Sequence, residues 1–223
     1  MASTLRSPRV VDVLGRLFAQ VELQDPSAKR RVQDREIELG RRLSQAQRYE
    51  LYGEAPLAIT REVGELLYVL TVSRRARSVV EFGCSLGLST IFLAAGLRDN
   101  NDGAGSLITT ELLSGKAKTA REKLTEAGLN DLVELRVGDA LQTLANVTEP
   151  VDLLFLDGRN DLYLPVLRLL EPRLAPDALV AADLSVEDPD LLPYLEHVRE
   201  RAQGYFSINL PLDAGVELSV RIA

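Results

Sequence analysis

From residue 78 onward, short apolar runs of strand length alternate with segments of helical spacing, and that alternation admits few folds. Residues 78–82, 107–110, 133–137, 151–156 and 178–182 read as strands, bounded by Gly, Asp and Asn. Helices are expected over about 89–97, 116–127, 162–170 and 189–201, with Gly128 as a C-terminal cap and a turn-rich loop over 99–105. The runs 151–156 and 178–182 are nearly all apolar, as strands covered on both faces are. A β-α-β-α order builds a mostly parallel sheet with helices on both sides. The end breaks the order. Residues 205–212 and 216–222 are separated only by Asp213, Ala214 and Gly215, a join that permits only an antiparallel hairpin. The expected fold is α/β: about seven strands, one of them antiparallel.

The first 75 residues hold no good strand. Val10, Leu14, Leu17, Phe18 and Val21 share one helical face, and Ser27 is placed to cap a further helix running to about Leu43. Lys29, Arg30 and Arg31 are interleaved with acids and read as a solvated face. Another helix is expected from Pro56, with Ile59, Val63, Leu66, Leu67 and Leu70 at helical spacing. Asp12 and Arg16 interrupt any signal-peptide core, so the cytoplasm is the expected compartment. The apolar stripe of residues 1–50 finds no evident place in a seven-stranded domain, which suggests a homodimer.

Composition removes several classes of function. A net charge of −7 disfavours a nucleic-acid partner, and charges break every apolar run too early for a membrane span. One Cys and one His exclude an intrachain disulfide and a Cys/His zinc cage. Cys84 fits a small-residue turn, and His197 reads as a surface or packing residue.

Ligands of open α/β sheets bind beyond the carboxyl ends of the strands. A carboxylate stands at or just past the end of each of the first five: Glu81, Glu111, Asp139, Asp157 and Asp183. Five in succession point to a ligand with hydroxyls, amines and positive charge rather than phosphates. The first turn carries Gly83 and Gly87, spaced Gly-x-x-x-Gly, so the dinucleotide fingerprint Gly-x-Gly-x-x-Gly is absent. Glu111 is placed to accept hydroxyls of a ribose, and Asp139 to accept from an adenine amine.

Residues from about 51 to the C-terminus resemble the class I S-adenosylmethionine-dependent methyltransferases, and among them the small O-methyltransferases of the catechol and caffeoyl-coenzyme A type. The phrases are A-P-L-A-I at 55–59, V-E-F-G-C-S-L-G-L-S-T at 80–90, I-T-T-E at 108–111, G-D-A at 138–140, L-D-G at 156–158, Y-L-P at 163–165 and V-A-A-D at 180–183. The resemblance implies a Rossmann-like sheet in residues 51–223, preceded by a helical extension in 1–50. It implies a small-molecule acceptor. It places the cofactor's methionine side against Glu81 and Gly83, its carboxylate on Ser89, its ribose on Glu111, and its adenine on Asp139 and Ala140, with Ser85 and Gly87 also among the cofactor-binding residues. Leu57 and Ala58 would close over it, and Asp157 would lie near the reacting methyl group.

The catalytic positions that follow are Asp157, Asp183 and Asn160. In metal-using members, positions 157, 183 and 184 hold Asp, Asp and Asn, and position 160 holds Lys. Here 184 is Leu and 160 is Asn. Leu184 cannot ligate an ion, and Asn160 cannot carry charge. No metal ligands are therefore assigned, and methyl transfer without metal, to a hydroxyl or an amine of a small molecule, is the expectation. A rival reading is a cofactor-binding protein that has lost catalysis and acts by association. Another is a nicotinamide oxidoreductase, disfavoured by the missing glycine fingerprint. Tyr49, Tyr52 and Tyr68 could line an aromatic acceptor pocket, core packing being the commoner use of such residues.

Overall fold

A computed structural model of the chain describes residues 3–100, 105–185 and 188–222. Its strands are β1 (Ser78–Phe82), β2 (Ser106–Glu111), β3 (Val133–Val137), β4 (Val151–Leu156), β5 (Leu174–Asp183), β6 (Tyr205–Leu210) and β7 (Val216–Arg221). Its helices are α1 (Pro8–Leu39), α2 (Gln45–Tyr52), α3 (Arg61–Arg74), α4 (Leu88–Asp99), α5 (Ser114–Ala127), α6 (Ala140–Thr143), α7 (Tyr163–Leu170) and α8 (Leu192–Arg199). Residues 101–104 of the expected 99–105 loop lie outside the described residues.

The strands form one sheet in the order β3-β2-β1-β4-β5-β7-β6. β1 to β5 run parallel, and β7 is antiparallel to both β5 and β6; β6 ends at Leu210, so the join is residues 211–215, longer than expected but still too short for a crossover. The chain winds outward from β1 to β3, then returns to β4 on the other side of β1. That reversal leaves a crevice at the carboxyl ends of β1 and β4. Alternate strand residues feed two cores. Val79, Leu153, Phe155 and Ala181 join one, and Val80, Leu154, Val180 and Ala182 the other. Both faces are covered, which is why β4 and β5 read as near-continuous apolar runs.

The N-terminal region departs from the sequence reading. α1 is one helix of 32 residues, capped by Ser7 and ended by Gly40 at φ 60°. Ser27 does not start a helix; its hydroxyl donates to the Gln24 carbonyl inside one. Pro26 removes the N–H that would serve the Glu22 carbonyl, but both residues are exposed, so water can replace it. Ala28 and Val32 continue the buried stripe, and Asp25 accepts from the backbone N–H groups of Leu57 and Ala58. These contacts fasten the middle of the helix and hold it together across the proline.

Val10, Val13, Leu14 and Leu17 are buried in the chain's own core, beside α4. The stripe that motivated a dimer is thus already covered. α2 was not anticipated; a capping box between Ser44 and Gln47 starts it. α3 begins after Thr60 rather than at Pro56, because the Thr60 side chain caps it and Leu57 sits at φ 47°, outside helical backbone. Among the described residues, no helix is long and apolar enough to cross a membrane.

Candidate active site

The carboxyl ends of β1, β2, β4 and β5 open into a cavity of about 690 Å³, closed on the other side by α2 and the 53–60 segment. That volume suits a cofactor together with a small acceptor. Its walls include Leu57, Ala58, Gly83, Ser85, Glu111 and Asp139. Ala140, Asp157, Asn160 and Asp183 complete the expected residues that face it. Glu81, Gly87 and Ser89 do not line it. Ser89 borders a small adjoining pocket with Leu57, Ser85 and Asp157.

The turn after β1 explains the two glycines. Gly83 has φ 96° and Gly87 φ 89°, a region that side chains with a Cβ rarely enter. Gly87 N–H donates to the Cys84 carbonyl, and Gly87 packs on Ala120 of α5. Its part is to close the turn and seat α4 against α5. Glu81 is fully buried, and its Oε2 accepts from Thr90 and Thr109. Its Oε1 has no partner. Burial pushes its carboxyl above the ordinary range, partly offset by the neighbouring hydroxyls of Ser89, Thr109 and Thr90. Burial likewise raises the Cys84 thiol well above its usual value, which rules against a nucleophilic thiolate.

At the β2 end, Glu111 is nearly enclosed. Its Oε1 accepts from the Tyr49 hydroxyl at 2.9 Å and from Leu113 N–H at 2.9 Å; its Oε2 accepts from Ser85 N–H at 3.0 Å. A carboxylate offers about four acceptor positions, so roughly one stays open. Burial first, then Glu111, pushes the Tyr49 hydroxyl pKa far up, so it stays a donor. Asp139 is exposed and caps α6 through Leu141 N–H, leaving its second oxygen toward solvent and cavity.

At the β4 and β5 ends, Asp157 and Asp183 lie with Asp213 of the β6–β7 join along the cavity wall. Burial, then the charges of Asp183, Glu81 and Asp213, raises Asp157 well above the carboxylate range. Burial, then Asp213, pushes Asp183 up to about 7, with Lys29 acting in the opposite sense. Asp183 Oδ1 is buried without a partner among the described residues, while the Asp183 carbonyl accepts from Tyr163. A carboxylate poised near neutrality is suited to take a proton from a hydroxyl.

Asn160 is occupied elsewhere. Its amide donates to Asp188 Oδ2 at 2.8 Å, an oxygen that also accepts from Gln45 at 2.7 Å and Arg48 at 3.3 Å. Asn160 thereby ties the acceptor wall to α2. Leu184 presents an apolar side chain to the same wall. Asp157 and Asp183 offer carboxylate oxygens to this wall, whereas Leu184 beside them can ligate nothing.

Of the three tyrosines, Tyr49 and Tyr52 line the cavity. Tyr68 lies elsewhere, donating to Asp99 at 2.7 Å. His197 also lies away, 2.7 Å from Glu171. Lys29 lines the cavity rather than only a solvated face. The residue that escaped the sequence reading is Lys116, buried in the first turn of α5 and facing the cavity. A signal existed: a cation in the first turn opposes the helix dipole.

The chain is similar to known methyltransferases. Residues 80–183 match a family described as a methyltransferase domain. A catechol O-methyltransferase of Niastella koreensis is 29% identical over 175 residues, 76% of each chain. A catechol O-methyltransferase of Mycobacterium tuberculosis is 38% identical over 106 residues, which span 47% of this chain and 46% of that protein. The crystal structure of the O-methyltransferase TomG from Streptomyces achromogenes, involved in tomaymycin synthesis and in complex with S-adenosylmethionine, aligns with a TM-score of 0.65. Its sequence identity is 26%, over 75% of this chain and 82% of that one.

Proposed function

We infer that this chain, a class I S-adenosylmethionine-dependent methyltransferase of the small O-methyltransferase type, methylates a hydroxyl of a small molecule held against Asp157 and Asp183, without a metal. One observation carries the reading: a single cavity has a hydroxyl-accepting carboxylate, Glu111, on one wall and unpartnered Asp183 Oδ1 at the acceptor wall. When bound, S-adenosylmethionine supplies an electrophilic methyl group; the acceptor oxygen forms the new C–O bond as the C–S bond breaks, and the electron pair remains on sulfur.

The chain's own residues do the rest. Gly83 and Ser85 let backbone approach the cofactor, with Glu81 and Ser89 supporting its methionine end. Leu57 and Ala58 cover it. Glu111 holds the ribose, and Asp139 with Ala140 the adenine. Asp183 takes the hydroxyl proton, and Asp157 keeps the wall acidic beside it. Alignment of oxygen, methyl and sulfur, with reacting atoms about 3 Å apart, supplies most of the acceleration. Asn160 serves through Asp188 and α2, not as a base.

Two relatives are catechol O-methyltransferases, so a catechol is the first acceptor to try. Tyr49, Tyr52, Leu162 and Leu184 give its ring apolar walls. With methyl-labelled cofactor, catechol and caffeate, transfer is expected to persist in chelator. Leu184→Asn with Asn160→Lys is expected to raise Mg²⁺ binding more than either change alone, because both act on one site. Transfer that vanishes with chelator and returns with Mg²⁺ overturns the metal-free mechanism. Cofactor binding with no transfer to any acceptor would instead favour a protein that acts by association.

We also propose that residues 1–50 are an extension completing the core of a methyltransferase domain at 51–223, and that the enzyme works as a cytoplasmic homodimer. With the first half of α1 used internally, pairing would draw on exposed Leu23 and Ile37 of α1 or Phe206 and Ile208 of β6. Light scattering at micromolar concentration is expected to give twice the chain mass; a fully active monomer rules the dimer out.

A further inference from the structure

Lys116 is 2% exposed, yet among the described residues it makes no hydrogen bond or ion pair. Its ammonium lies 5.8 Å from the centre of the Tyr49 ring. The charged and titratable groups acting on it come from four segments: Glu111 from β2, Glu54 from the segment after α2, Asp25 from α1, and Cys84 from the turn after β1. Burial lowers its pKa, and those acids only partly restore it. A cation here works against the fold twice. Among the described residues it is withdrawn from water with the Tyr49 ring beside it and no hydrogen-bond acceptor in contact, and it sits in the first turn of α5, where the helix dipole repels positive charge. The chain could have placed an apolar residue there at lower cost. Local rules of this kind are broken most often where a ligand is bound.

The same wall holds Glu111, whose acceptor positions are mostly filled by Tyr49, Leu113 and Ser85. A ribose brings two hydroxyls, each able to donate and to accept. Glu111 can take one new donor easily but not two. An ammonium beside it supplies the complementary group.

We propose that Lys116 is a cofactor-binding residue: one ribose hydroxyl donates to Glu111 while its neighbour accepts from Lys116. This rests on the cofactor reading above and adds a second contact to it. The pair would select a ligand carrying the intact vicinal diol, and would give the buried ammonium the acceptor that the unliganded protein lacks.

Calorimetric titration with S-adenosylhomocysteine and with its 2′,3′-dideoxy analogue tests this on wild type and on Lys116→Met, with melting temperatures measured in parallel. A hydrogen bond to a charged donor predicts a loss of about tenfold or more for S-adenosylhomocysteine in the variant. The dideoxy analogue is expected to bind both proteins alike, and the variant to melt no lower than wild type. Undiminished S-adenosylhomocysteine binding by the variant overturns the proposal, as does an equal loss for the dideoxy analogue. A lower melting temperature together with lost binding assigns Lys116 a structural role and overturns it too. Failure of wild type to bind S-adenosylhomocysteine is a different result, and removes the cofactor reading itself.

Discussion

Asp183→Asn is expected to lower kcat at least a hundredfold and, at pH 8, to make the protein more stable. Both effects have one cause. Burial and the neighbouring Asp213 push the Asp183 carboxyl up to about 7, and its Oδ1 has no hydrogen-bond partner among the described residues. A base whose pKa lies near the working pH combines a usable ionised fraction with real proton affinity, and such bases contribute about 10²- to 10⁴-fold. The amide keeps the shape and cannot take the proton. The stability sign follows from linkage. Asp183 is an acid whose folded pKa exceeds its unfolded one, so the folded state binds more protons between the two values. Stability is therefore lost as pH rises from the unfolded value, near 4, through about 7. Above that window the buried charge is a standing cost, and asparagine removes it. The melting temperature of the variant should exceed that of wild type at pH 8, with little difference at pH 3. In wild type, kcat/KM should climb through neutrality as the carboxylate forms. A variant that retains activity moves the proton acceptor to Asp157, or indicates an acceptor delivered as a neutral amine.

The parts of this site that were legible in sequence are those that chain order fixes. Strand ends must face one edge of a parallel sheet, so Glu111, Asp157 and Asp183 fall together once the strands are found. The hairpin was legible for the same reason: so short a join leaves no room for a crossover. What escaped depends on contacts between distant segments. α1 runs through Pro26 because Asp25 meets the backbone of Leu57 and Ala58, which no local pattern announces. Tyr49 reaches Glu111 only because a short, capped helix turns it inward. Asn160 looks like a missing lysine in sequence. In space it is one of several donors on Asp188. Lys116 was hidden because a lysine in an amphipathic helix, here one of three in α5, is ordinarily solvated.

The glycine after β1 allows the second large effect to be stated in advance. Gly83→Ala is expected to cost roughly 2–5 kcal/mol of stability, from strained backbone and from overpacking together. Gly83 holds φ 96°, and a Cβ there would lie 2.5 Å from the Asp157 carbonyl oxygen and 2.9 Å from the Gly158 Cα. Those neighbours are backbone, so no side-chain rotation relieves the clash. Nor can the two strand ends part freely, because Asp157 N–H donates to the Phe82 carbonyl at 2.9 Å. Any relief must shift Asp157 itself, the residue beside the transferred methyl group in this mechanism. Cofactor affinity should therefore fall with stability, and urea unfolding together with calorimetry would register both. Gly15→Ala provides the comparison. It lies within α1 with nothing inside 4 Å of an added Cβ, and alanine in a helix is favoured over glycine by about 1 kcal/mol. That variant should match or exceed wild type in both measurements. If Gly83→Ala does the same, the close approach of β1 and β4 at the cofactor turn is not what positions Asp157.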